Sequence, residues 1–104
     1  MRRFGGTELQ HPRAVCADGK GRVIVLECKI QRIVLFHGDG RLIKKLPCSA
    51  CMDFPVGVAA NDLVDEIYVA DNHMHCVNVR NILLYILQYF ALLFVMKITH
   101  YVIN

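Results

Sequence analysis

Up to Arg80 the apolar residues fall in short runs, each closed by a turn of glycine, aspartate or asparagine, and this spacing predicts β-strands. Arg13–Ala17 alternates and reads as a short inner strand, in which Cys16, between Val15 and Ala17, is a small buried hydrophobe. Asp18-Gly19-Lys20-Gly21 reads as a tight hairpin whose two glycines both supply positive φ. Arg22–Glu27 follows, and its centre, Val23-Ile24-Val25-Leu26, is continuously apolar, as suits a strand covered on both faces. Ile30–Phe36 predicts a third strand, His37-Gly38-Asp39-Gly40 a turn, and Arg41–Leu46 a polar outer strand. These elements make one four-stranded antiparallel unit.

The unit then recurs. His11–Ala17 aligns with Phe54–Ala60 at an offset of 43, and Arg22–Glu27 with Glu66–Asp71 at 44, which places one inserted residue in the Asn61–Asp65 turn. Val56–Ala60, Glu66–Ala70 and Cys76–Val79 are the strands predicted for the second copy. A β-rich period of this size is that of a propeller blade rather than of a helical solenoid. The expected fold class is therefore all-β: a partial propeller of about two four-stranded antiparallel blades, the first over 1–46 and the second, incomplete, over 47–80, followed by an apolar tail over 81–104. Two blades cannot close a ring, and fewer than about three stacked repeats are seldom stable alone. A fragment of a longer propeller or a truncated gene model is the expectation, with function on a blade surface rather than in a closed pocket.

The tail belongs to a different compositional class. No Gly or Pro follows Gly57, and Lys97 is the only charge beyond Arg80. Three readings compete. A transmembrane helix needs roughly 20 apolar residues, and Ile82–Met96 falls short unless Lys97 snorkels and Ile98–Ile103 is counted. A buried amphipathic helix would carry regularly spaced polar residues, and only Gln88, Lys97, Thr99 and His100 interrupt the run. A segment foreign to the fold, from a splice or gene-model artefact, fits the mid-blade breakpoint best.

The formal net charge of +3 is unevenly placed. Between Phe4 and Leu46 the cations Arg13, Lys20, Arg22, Lys29, Arg32, Arg41, Lys44 and Lys45 outnumber Glu8, Asp18, Glu27 and Asp39; between Pro47 and Arg80, Asp53, Asp62, Asp65, Glu66 and Asp71 face only Arg80. Attraction for a polyanion therefore comes from the first repeat, unless these charges are simply solvated strand edges. The five cysteines are an odd number, and the start Met1-Arg2-Arg3-Phe4-Gly5-Gly6 lacks a signal-peptide apolar stretch, so a reducing, cytoplasmic setting is expected. Cys48-Ser49-Ala50-Cys51 with His73-Met74-His75-Cys76 offers zinc-type ligands, but nothing in the sequence fixes the two clusters together, and no cofactor is expected. No serine elbow, paired catalytic carboxylates or phosphate-binding glycine loop occurs, so no enzyme activity is expected.

Several strings are specific when taken in order: Phe4-Gly5, Leu9-Gln10-His11-Pro12-Arg13, Gly21–Lys29, Phe54-Pro55 before Gly57-Val58, and Asp71-Asn72 before His75-Cys76-Val77. Over residues 3–80 the chain resembles two consecutive blades of the NHL-repeat propeller of TRIM-NHL proteins, most closely the Brain tumor subgroup. That resemblance implies a six-bladed propeller whose electropositive top face binds single-stranded, uridine-rich RNA in messenger untranslated regions and represses translation, with protein co-repressors as further partners. By position it points to Arg13, Cys28, Lys29, Phe54 and Asn72, all in blade-end loops expected to open on one face. The chemistry agrees: Arg13 and Lys29 offer charge to phosphates, Phe54 a stacking surface and Asn72 a donor–acceptor pair, while Cys28 forms a small wall. Against this, Phe54 could wedge between blades, and Asn72 could cap the Asp71 turn. The equivalent of Asp71 in the first repeat is Glu27, and an acid at that place more often braces loops than contacts a ligand. A protein-interaction scaffold is the rival function, and membrane tethering through the tail is a third. The ubiquitin-ligase activity of some relatives is not implied, because the cysteine and histidine array it needs is absent from this sequence.

Overall fold

Each predicted run of alternating or continuous apolar residues folds as a strand and pairs with its sequence neighbour, as short turns require of antiparallel chains. The computed structural model describes residues 1–47, 53–83 and 87. Strands β1 (Ala14–Ala17), β2 (Arg22–Glu27), β3 (Arg32–His37) and β4 (Leu42–Pro47) form one antiparallel sheet in chain order. Strands β5 (Pro55–Asn61), β6 (Glu66–Asp71) and β7 (Cys76–Asn81) form a second. The architecture is all-β, with a four-stranded blade followed by a blade of three strands among the described residues.

The pairing registers show where the inserted residue sits. Ala17 faces Val23 across the first hairpin, and Ala60 faces Ile67 across the second, so β1 maps onto β5 at 43 and β2 onto β6 at 44. The additional residue is therefore absorbed in the turn between β5 and β6. Two expectations about turns are corrected. Strand β3 begins at Arg32 rather than Ile30, because the chain after Glu27 closes a turn in which Gln31 N–H donates to the Cys28 carbonyl at 3.1 Å and Gln31 takes φ 49°. In the first hairpin only Gly21 has positive φ, at 77°. Gly19 sits under the Asp62 side chain from the turn between β5 and β6: a Cβ there would lie 2.9 Å from the Asp62 carboxyl carbon and push that side chain aside.

Burial follows the pleat. Ile24, Leu26, Ile33, Leu35 and Leu46 face Ile67, Val69 and Ile82 between the sheets, with Ala14, Cys16, Ile43, Val58 and Ala60 packed around them. On the opposite side of the first sheet, Val25, Val34 and Phe36 form a second cluster with Val23 and Leu9. The N-terminal segment covers that face, and Phe4 meets Phe36 edge-on with ring centroids 5.3 Å apart. The unbroken apolar run of β2 thus has cover on both faces, as its sequence predicts. Each fully buried aliphatic side chain contributes about 1.5–3 kcal/mol of transfer free energy, so the intersheet cluster is the main source of cohesion between blades.

The stacking operator has a consequence for architecture. Ile67 and Val69 occupy the repeat positions of Val23 and Val25, yet they pack on the face of the first sheet that carries Ile24 and Leu26. The sheets therefore stack head to tail, as propeller blades do, and not face to face. On the far side of the second sheet the register aligns Tyr68 with Val79 and Ala70 with Val77. Val77 and Val79 are exposed there.

Among the described residues no helix is long and apolar enough to cross a membrane. The three readings of the tail, like the Cys48/Cys51 pair, fall outside the described residues apart from Asn81–Leu83 and Leu87.

Candidate nucleic-acid interface

Buried acids organise one end of both blades. The Glu27 carboxylate, fully buried at the end of β2, accepts Gln10 N–H at 2.7 Å, His11 N–H at 2.6 Å and Arg32 Nε–H at 2.6 Å. Arg32 also donates through Nη2 to the Glu8 carbonyl at 2.7 Å. The chain entering β1 is thereby held at Glu8, Gln10 and His11, directly ahead of Arg13. Burial alone would raise the Glu27 pKa, but the His11 and Gln10 amides and then the Arg32 guanidinium outweigh it and hold the carboxyl below its ordinary range.

Asp71 repeats the device at the end of β6. Its carboxylate accepts the amides of Asp53 at 2.6 Å, Phe54 at 3.1 Å, His73 at 3.1 Å and Met74 at 3.0 Å. Here too burial opposes ionisation, and the four amides prevail, so the pKa is lowered. Both acids brace loops, as the sequence suggests for that position.

The five residues expected from the sequence all lie at this end. Arg13 precedes β1, and its N–H donates to the Leu26 carbonyl at 2.7 Å. Cys28 and Lys29 occupy the turn between β2 and β3, Phe54 precedes β5, and Asn72 follows β6. A bond from Gln31 Nε2 to the Asp53 carbonyl, 2.6 Å, ties the Cys28–Lys29 turn to the loop carrying Phe54. Asn72 N–H donates to the Phe54 carbonyl at 2.9 Å. Cys28, Lys29, Phe54 and Asn72 are thus joined through two short bonds. Arg13 stands at the same end but over the outer side of the first sheet, where with Leu9, Pro12, Ala14, Val15 and Val25 it lines a hollow of about 300 Å³.

Most of these residues keep their side chains open to solvent. Arg13, Lys29 and Asn72 are exposed, and their side chains make no hydrogen bond or ion pair among the described residues. Asn72 does not cap its turn; the Asp71 carboxylate does. Phe54 is not a buried wedge: it is 39% exposed and stacks on His73, with ring centroids 4.8 Å apart and planes 22° from parallel. His73 Nδ1 in turn lies 3.1 Å from Asp53 Oδ2.

At the opposite end the charges are consumed internally. Arg22 bonds Asp18 at 2.5 Å and also Asp65. Lys20 lies 3.2 Å from Asp65, and Gly19 N–H donates to Asp62 Oδ1 at 2.5 Å. This cluster fastens the first sheet to the second and leaves Arg13 and Lys29 as free cations at the other end. The basic surplus of the first repeat therefore does not translate into a uniformly positive blade.

Gln31, Asp53 and His73 belong to the loop-end cluster and are not among the residues singled out from sequence for this surface. His73 is considered there only as a metal ligand. Among the described residues no group of three or more His, Cys, Asp or Glu side chains could hold a metal ion.

Two antiparallel sheets stacked head to tail, with loop-bracing acids at repeat-equivalent positions, have the arrangement of two neighbouring propeller blades. No family model matches the chain. It is 47% identical over 53 residues, 51% of its length, to the B-box type zinc finger protein ncl-1 of Caenorhabditis elegans, and 51% identical over 49 residues, 47% of its length, to the protein brain tumor of Drosophila melanogaster. Both are TRIM-NHL proteins, and this chain is related to them. It spans 6% and 5% of the length of these relatives.

Proposed function

We propose that the blade-end surface carrying Arg13, Cys28, Lys29, Phe54 and Asn72 binds single-stranded, uridine-rich RNA and serves, without catalysis, in post-transcriptional repression in the cytoplasm. The observation that carries this reading is the coincidence, at one end of both blades, of exposed cations and an amide without internal partners and a half-exposed aromatic ring. Single-stranded RNA asks for this combination: charge along the phosphates, a planar surface for an unstacked base, and a polar group that can read a base edge. The half-buried Cys28 adds a small, tolerant wall beside Lys29. The relationship to TRIM-NHL proteins supports the reading, and co-repressor proteins would occupy other surfaces of the same blades.

Fluorescence anisotropy with labelled oligouridylate tests it. Arg13→Ala and Phe54→Ala are each expected to weaken binding, and raising salt is expected to weaken it further through counterion release. If both variants bind RNA as the wild-type chain does and instead lose a protein partner, the surface is a protein-interaction scaffold.

A further inference from the structure

The ring assigned to base stacking is itself already stacked. Phe54 and His73 lie nearly parallel at 4.8 Å, so one face of Phe54 is covered before any ligand arrives. His73 is the more open of the two: 59% of its side-chain surface is exposed, whereas Phe54 as a whole residue is 39% exposed. The imidazole is also held. Its Nδ1 lies 3.1 Å from Asp53 Oδ2, and its backbone N–H is bound to Asp71 Oδ1 at 3.1 Å. Asp53 is fixed in turn through its N–H to Asp71 and through its carbonyl to Gln31 of the first blade. An exposed histidine is ordinarily free to rotate, whereas this one is backed by an aromatic ring and lies against the carboxylate of Asp53, a residue whose backbone both blades hold.

We infer that His73 is a base-stacking contact of the RNA surface: its outer face receives the unstacked base, and Phe54 is the positioning residue behind it. This rests on the RNA reading of the preceding section. The structure favours the assignment because a base approaching from solvent meets the imidazole as the outer member of the pair, and preorganised rings save the ordering cost that a mobile side chain would bring to binding. The platform is then two rings deep and spans the Asp53-Phe54 and Asn72-His73 loops. Asn72, next in sequence to His73, is placed to read the edge of the same base.

The test uses the full chain with fluorescein-labelled oligouridylate by anisotropy, and with unlabelled oligouridylate by proton NMR of the imidazole. Base stacking on His73 moves its ring protons upfield through the ring current of the bound base. His73→Ala is expected to weaken binding by the worth of one stacked base, about 5- to 150-fold, and His73→Phe to restore most of it. Phe54→Ala is expected to weaken binding also, with Phe54→Tyr restoring it, since a backing ring is what His73 needs. The inference is overturned if His73→Ala binds as tightly as wild type while Arg13→Ala and Phe54→Ala lose affinity, because the base then lies on Phe54 and the RNA reading survives alone. If the wild-type chain binds no oligouridylate, the RNA reading and this inference fall together.

Discussion

Glu27→Ala removes the carboxylate that accepts the Gln10 and His11 amides of the chain entering the first blade. The wild-type carboxylate is fully buried and binds two amides and one guanidinium, and Arg32 beside it keeps only 17% of its side-chain surface in contact with solvent. Removing one partner of a buried ion pair costs about 3–5 kcal/mol, because the other charge stays behind uncompensated. The amides of Gln10 and His11 would add about 1–3 kcal/mol each if they remained dry. Both residues are exposed, however, so water replaces the lost acceptor there and the stranded Arg32 dominates. Glu27→Gln keeps an acceptor and loses only the charge, and its expected cost is lower, about 1.5–3 kcal/mol. Because small domains are stable by only about 5–15 kcal/mol, the alanine variant should lie near the limit of folding. Urea denaturation followed by circular dichroism measures both losses, and hydrogen exchange at Gln10 and His11 localises them. A loss below about 1 kcal/mol for Glu27→Ala, the size of an exposed pair, would refute the assignment of Glu27 as the loop brace.

Acidification should destabilise the fold. Glu27, Asp65 and Asp71 all have folded-state pKa values below their ordinary ones. The unfolded chain therefore takes up protons first as pH falls, and the stability present above the usual carboxylate range, about pH 4, is lost as pH drops through the depressed values. Urea midpoints measured from neutral pH downward should decline there, with a shallower decline in Glu27→Gln; flat midpoints would contradict the bracing role of these acids. Gly19→Ala is expected to displace the Asp62 side chain and lose its bond to the Gly19 amide, costing about 1 kcal/mol. A cycle with Asp62→Ala checks this, since the two losses should be markedly less than additive. Burial, then the Asp18 and Asp62 charges, push the Cys16 thiol up, so iodoacetamide should label exposed Cys76 well before Cys16 in the folded chain. Equal rates by mass spectrometry would place Cys16 outside the core.

Local pattern made most of the blade architecture readable, because strand period and turn chemistry act over a few residues. Val23-Ile24-Val25-Leu26 announces a doubly covered strand, and the structure supplies cover from Ile67 and Val69 on one side and the N-terminal segment on the other. The offset of 43 against 44 locates the insertion to one turn, and the registers bear it out. Long-range contact is what sequence did not carry. Gly19 looks like a hairpin glycine, but the side chain that lies against it, Asp62, comes from a turn of the neighbouring sheet. Gln31 falls inside the strand expected over Ile30–Phe36, yet it adopts left-handed backbone and closes the turn before β3. The stack of Phe54 on His73 joins two loops nineteen positions apart in sequence, and only their common attachment to Asp71 brings the rings together. In the same way, a count of cations in the first repeat could not show that Lys20 and Arg22 are neutralised at the far end by Asp18 and Asp65.

Amide chemical-shift mapping of the full chain during titration with oligouridylate tests the central claim most directly. The predicted outcome is a contiguous set of shifts at Arg13, Cys28, Lys29, Phe54, Asn72 and His73, with the Asp18–Arg22 hairpin unmoved. Shifts centred on that hairpin, or on the exposed Val77 and Val79 face, would contradict it.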